Sequence, residues 1–133
     1  MVHALQRQLA EIGEVDLAVI FGSTARGTAQ PGADVDLALR LQGGSSAHLA
    51  SLAVALERAL GRPVDALDID RAPPLLRFEI ARSGRVLVER IAHGWADFRA
   101  RAMLDWWDWA PTARRIHRRA VSRLPRRGQD GAG

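Results

Sequence analysis

The chain has 133 residues, 47% of them hydrophobic, which suits one domain with a real core. It has no cysteine, which excludes a disulfide framework, a Cys-ligated zinc or iron–sulfur centre and a thiol nucleophile; all 19 basic residues are arginine, which excludes lysine Schiff-base chemistry and a Walker A lysine. The net charge of +4 comes from one end: residues 114–127 hold seven arginines and no acid, whereas residues 1–113 hold 12 arginines against 14 acids.

Leu5, Leu9 and Ile12 recur at helical spacing, so residues 2–12 are expected to form an amphipathic helix that Gly13 stops. The nearly continuous apolar run of residues 15–21 reads as a buried strand closed by Gly22-Ser23. Residues 24–29 suit one or two helical turns, and Gln30-Pro31-Gly32 a turn. Residues 34–41 alternate with period two and read as a second strand that begins with its acids. Ser45 or Ser46 caps a helix over 47–60, ended by Gly61-Arg62-Pro63; residues 64–69 form a third strand. Pro73-Pro74 opens a helix to about residue 81, Gly84 stops it, and residues 85–88 form a short fourth strand. The remainder reads as helices interrupted at Ala110-Pro111. The order predicts an α/β (α+β) fold: a small mixed sheet flanked by helices, with a helical C-terminal segment. One domain is expected over 1–125, with a disordered tail over 126–133. No run approaches the ~20 apolar residues of a membrane span, and the N-terminus lacks the layout of a signal peptide, so the expected setting is soluble and cytoplasmic.

The chemistry concentrates between residues 21 and 37. Asp34 and Asp36 stand two apart on a predicted strand, so both carboxylates face one side, roughly 6–7 Å apart. Two carboxylates on an otherwise apolar strand are costly without a counter-charge, and a hard divalent cation such as Mg²⁺ supplies one, typically with substrate phosphates completing its oxygen ligands. Gly22-Ser23 follows a strand and precedes a predicted helix, where backbone N–H groups and a hydroxyl can face a phosphate. Asp65 on the third strand would add a third carboxylate, whereas Asp68 faces the other side and Asp70 falls in a loop. A phosphate cradle beside paired acids points to metal-assisted phosphoryl or nucleotidyl transfer.

Gly22-Ser23, ten residues, then Asp34-Val35-Asp36 resembles the signature of the DNA polymerase β-like nucleotidyltransferase superfamily. Within it, Gly22-Ser23-Thr24-Ala25-Arg26-Gly27, Asp34-Val35-Asp36-Leu37 and Val64-Asp65-Ala66-Leu67-Asp68 are similar to the minimal nucleotidyltransferases, the MNT group. The resemblance covers about residues 5–122 and implies the nucleotidyltransferase fold. It implies that Ser23 contacts the phosphates of a nucleotide triphosphate, with Gly22 and Arg26 beside it, and that Asp34, Asp36 and Asp65 hold Mg²⁺ and serve catalysis. One departure is Ala33, where the group commonly has serine. Many MNT proteins are antitoxins of a HEPN-domain ribonuclease toxin, so the resemblance further implies transfer of AMP from ATP to a tyrosine of such a toxin and a hetero-oligomeric complex with it. Two alternatives stay open: transfer to a small molecule such as an aminoglycoside, and a non-catalytic module that neutralises its toxin by binding.

Other features carry blander readings. Arg26 either touches phosphate or pairs with a surface acid, and Arg40 reads as structural. The four histidines have no metal-ligand spacing. Trp95, Phe98, Trp106 and Trp109 fall near one helical face, which reads as core, whereas Trp107 lies off it and is a candidate partner contact. The arginine-rich end suits an acidic partner surface or a solvated face, with nucleic acid possible but not favoured.

Overall fold

The apolar run Val15–Phe21 forms strand β1, buried along nearly its whole length. That burial on both faces requires a layer of helix on each side. The computed structural model describes residues 1–28, 30, 32–43 and 46–123; within these, the side chains of residues 46, 110–114 and 116–123 are outside the description. Helix α1 spans Val2–Ala10, and α2 is the short Gly22–Arg26. Strand β2 is Val35–Leu41, α3 Ser46–Leu60 and β3 Val64–Asp68. Helix α4 is Pro74–Ser83, β4 Arg85–Glu89 and α5 Gly94–Arg123. The strands form one mixed sheet in the order β3-β2-β1-β4. β1 runs antiparallel to β2 and β4, and β2 runs parallel to β3.

Strand alternation divides the core in two. Ala18, Ile20, Val35, Leu37, Leu39 and Val64 pack with Leu5 and Leu9 of α1 and Leu52 and Leu56 of α3. Leu17, Val19, Phe21 and Ala38 pack on the other face with Ile80 and Ala81 of α4 and Phe98 and Ala102 of α5. Arg90 fixes the bend between α1 and β1 by donating to the carbonyls of Val15, Ala10 and Ile12. Among the described residues no helix is long and apolar enough to cross a membrane.

Five expectations are corrected. α1 ends at Ala10, before Ile12. α2 starts at Gly22 and stops at Arg26, because Gly27 takes a left-handed conformation with φ of 74°. β2 begins at Val35, leaving Asp34 just outside the ladder. The helix expected to break at Ala110-Pro111 is continuous to Arg123: a proline removes one rung, and the rungs on either side persist. The aromatic face of α5 is core only over its first half. Phe98 is buried and Trp95 stacks on it, while Trp106 stacks on Phe78 of α4. Trp109 tilts against Trp106 but stays 39% exposed, since the ten-residue α4 is too short to cover a thirty-residue helix. The tail expected over 126–133 lies outside the described residues.

Candidate active site

Parallel pairing places Asp36 of β2 opposite Asp65 of β3, and antiparallel pairing places Phe21 of β1 on the other side of Asp36. Phe21 packs in the core layer under α4 and α5, so all three side chains belong to that face, at the end of the sheet where β1 finishes and β2 and β3 begin. Neighbouring strands are about 4.8 Å apart, so the two carboxylates are forced together by the sheet itself. Asp68, three residues along β3, alternates to the opposite face, and Asp70 lies beyond the strand.

The electrostatics follow from this crowding. Burial pushes the Asp36 carboxyl above its ordinary value; the negative charges of Asp65 and Asp34 push it the same way, and Arg26 opposes them. All four charged groups therefore act on one small volume. Asp36 is partly buried, whereas Asp34, Asp65 and Arg26 are exposed.

Gly22 opens α2 directly beside these acids. It has a φ of 71°, and a Cβ placed on it would stand 2.5 Å from Asp36 Oδ2. The glycine is thus required twice, for its left-handed backbone and for the space the carboxylate occupies. Ser23 and Thr24 follow in the first turn, where no side chain caps the helix; their N–H groups have no intrahelical acceptors at that position. The Thr24 hydroxyl donates to the Asp34 carbonyl at 3.4 Å, joining α2 to the segment ahead of β2. Ser23, through its carbonyl, accepts the Thr28 N–H at 3.0 Å.

The donor set suits a hard divalent cation: carboxylate oxygens held together without enough local positive charge to balance them. Among the described residues no three acids or histidines converge into a ready-made cage. The fit is to an ion that these carboxylates hold only in part and that finds its other oxygens on a bound triphosphate, as Mg²⁺ does.

Two arginines near the acids bear on the sequence reading. Arg40 lies on the same face as Asp36 but is committed elsewhere: its Nε and Nη2 donate to the two Asp70 carboxylate oxygens, both at 2.8 Å. These bonds hold the Asp70 carboxyl below its usual range, and Arg40 is structural as expected. In the sequence Arg62 reads only as part of a helix terminator. Its Nη2 donates to the Ala33 carbonyl at 2.8 Å, tying the chain before β3 to the residue preceding Asp34. No periodicity or spacing signals such a bond; a cation just ahead of an acid-bearing strand is its only trace in the sequence.

The polymerase β nucleotidyltransferase family profile matches residues 3–92. No curated protein matches the chain significantly in sequence. A toxin–antitoxin structure with AMP-PNP contains a chain of similar fold, with a TM-score of 0.79 and 20% identity over 90% of this chain and 98% of that one. The complex of a tri-AMPylated HEPN toxin with its MNT antitoxin from Shewanella oneidensis contains another, with a TM-score of 0.74 and 17% identity over 91% of this chain and 99% of that one. A protein assigned as a minimal nucleotidyltransferase is 33% identical over 63% of this chain and 86% of its own, with a TM-score of 0.52. The profile spans more than half of the chain and includes β1, Gly22-Ser23, Asp34, Asp36 and Asp65. The chain belongs to the polymerase β-type nucleotidyltransferase family.

Proposed function

We propose that this nucleotidyltransferase transfers AMP from ATP to a protein acceptor, a tyrosine of a cognate HEPN-domain toxin, and so acts as its antitoxin in the cytoplasm. The observation that carries the transfer chemistry is the pairing of Asp36 with Asp65 beside Gly22. The acceptor is supported by fold likeness to chains from toxin–antitoxin structures, one of them with an AMPylated HEPN toxin and another with AMP-PNP.

When bound, Mg²⁺ supplies charge neutralisation on the triphosphate and the developing pyrophosphate. Asp34, Asp36 and Asp65 would hold it. The Ser23 hydroxyl and the first-turn N–H groups of α2 bind phosphate oxygens, and Arg26 adds positive charge at the rim. In the step itself the tyrosine oxygen bonds to the α-phosphorus, the bond to the bridging oxygen breaks and pyrophosphate leaves. In this reading Asp65, which is exposed, accepts the phenolic proton.

The test is to incubate the purified protein with ATP, Mg²⁺ and a HEPN-domain toxin encoded beside it. A mass increase of one adenylyl group on the toxin is expected. Binding without a mass change would support the non-catalytic module instead, and modification of an aminoglycoside would support the small-molecule transferase. Within this reading, Ser23→Ala should weaken triphosphate binding by about 1–3 kcal/mol, the scale of a hydrogen bond to a charged group; titration calorimetry with a non-hydrolysable ATP analogue measures it.

The protein partner has a candidate contact on α5. Trp107 is 71% exposed and Leu104, one turn before it, 58% exposed. A bare tryptophan beside a leucine is the composition of an interface anchor. Trp107→Ala should weaken association with the toxin by about 2 kcal/mol, or about thirtyfold, in a surface-binding assay, and leave ATP binding by the isolated protein unchanged. The arginine-rich end expected to dock on an acidic partner lies mostly outside the described side chains; of its arginines, Arg115 is described, and it is exposed.

A further inference from the structure

Asp36 and Asp65 are held by the sheet, but Asp34 is not. It precedes β2, is exposed, and has no ladder partner. Its backbone is located by a few bonds around it. The Ala33 N–H donates to the Gln30 carbonyl at 3.0 Å, and the Val35 N–H donates to the Pro63 carbonyl at 2.9 Å. Thr24 Oγ1 reaches the Asp34 carbonyl at 3.4 Å, near the limit of a hydrogen bond. The short bond from a side chain is that of Arg62 to the Ala33 carbonyl, at 2.8 Å and partly buried.

We propose that Arg62 is a positioning residue for the metal–nucleotide site: by gripping the Ala33 carbonyl it holds the Asp34 carboxylate beside Asp36 and Asp65. This rests on the nucleotidyl-transfer reading above. The Arg62 Nε–H is buried without an acceptor, and the Nη2 bond is the head group's one hydrogen bond among the described residues. Such an arrangement leaves a buried donor unsatisfied, at a cost; it places the guanidinium where it reaches one carbonyl. Arg62 and Pro63 together link the approach to β3 with the approach to β2, so the strand starts that bear the three acids share one brace.

The experiment reads Mn²⁺ binding by electron paramagnetic resonance in the presence of ATP, with thermal melting to check folding. Arg62→Met should weaken Mn²⁺ binding about tenfold, the lower end of what loss of an outer-shell partner costs a metal site. Arg62→Gln falls short of the Ala33 carbonyl while keeping polarity, so it should show the same loss; it carries the test if Arg62→Met does not fold. In an Asp34→Asn background the Arg62 substitution should have no further effect, because its route to the metal runs through Asp34. A merely structural role would lower the melting temperature and leave Mn²⁺ affinity unchanged, and that result overturns the proposal, as does an equal loss with and without Asp34. If Asp34→Asn and Asp36→Asn themselves leave Mn²⁺ binding unchanged, the three-acid site fails, and the failure is separate from that of Arg62.

Discussion

Replacing Asp36 with Asn is expected to cut nucleotidyl transfer about a thousandfold while the chain stays folded. A metal-held carboxylate contributes several kcal/mol of transition-state stabilisation, and about 4 kcal/mol corresponds to three powers of ten. Asp36 is the central acid: it pairs across the sheet with both Phe21 and Asp65, and Asp34 is two residues away. The same substitution has a second, opposite signature. Burial, Asp65 and Asp34 raise the Asp36 pKa above its ordinary value. A group raised in this way adds stability while protonated, fully below its unfolded value, and that stability is lost as pH rises through the folded value. At neutral pH the wild-type protein therefore carries a strained carboxylate that Asn lacks. Without metal, Asp36→Asn should melt at a higher temperature than wild type at neutral pH, with the gap closing as the pH is lowered through the carboxylate range. Retained transfer would remove Asp36 from the metal site; a variant less stable than wild type at neutral pH would instead mean that its charge is well compensated.

How far this site is legible in the sequence depends on the kind of interaction. The apolar run of residues 15–21 and the alternation after Asp34 read directly as strands, because burial on two faces or one leaves a periodic trace. Alternation also separates Asp65 from Asp68, since only one of them can share a face with Asp36. Arg62 leaves no such trace: its bond to Ala33 spans 29 positions and depends on where two strand starts meet. The continuity of α5 was equally hidden, because a proline lowers helix stability by a fixed local amount and the sequence does not show how much the flanking turns contribute. Trp109 illustrates a third limit. Its helical phase matches Phe98 and Trp106, but phase decides burial only where another element is long enough to cover it, and α4 ends too soon.

Gly22→Ala should lower transfer, and it should be more damaging to the fold than Asp36→Asn. Two costs coincide there. A residue with a side chain in the left-handed region, at a φ of 71°, is strained by about 1–2 kcal/mol. The added methyl would also stand 2.5 Å from Asp36 Oδ2 while clearing its Cγ at 3.4 Å, so the carboxylate must turn out of its present orientation beside Asp65. Gly27 separates these effects. It has a φ of 74°, but a Cβ there meets nothing within 4 Å. Gly27→Ala should therefore show the backbone strain alone, as a melting temperature lowered by a few degrees with Mn²⁺ binding and transfer close to wild type. Gly22→Ala should show the same strain plus loss of Mn²⁺ binding in the presence of ATP. If the two variants lose stability alike and both keep the metal, then Gly22 serves only the turn into α2. A selective loss at Gly22 means that the absence of a side chain is itself part of the site, because the space it leaves is the space Asp36 needs.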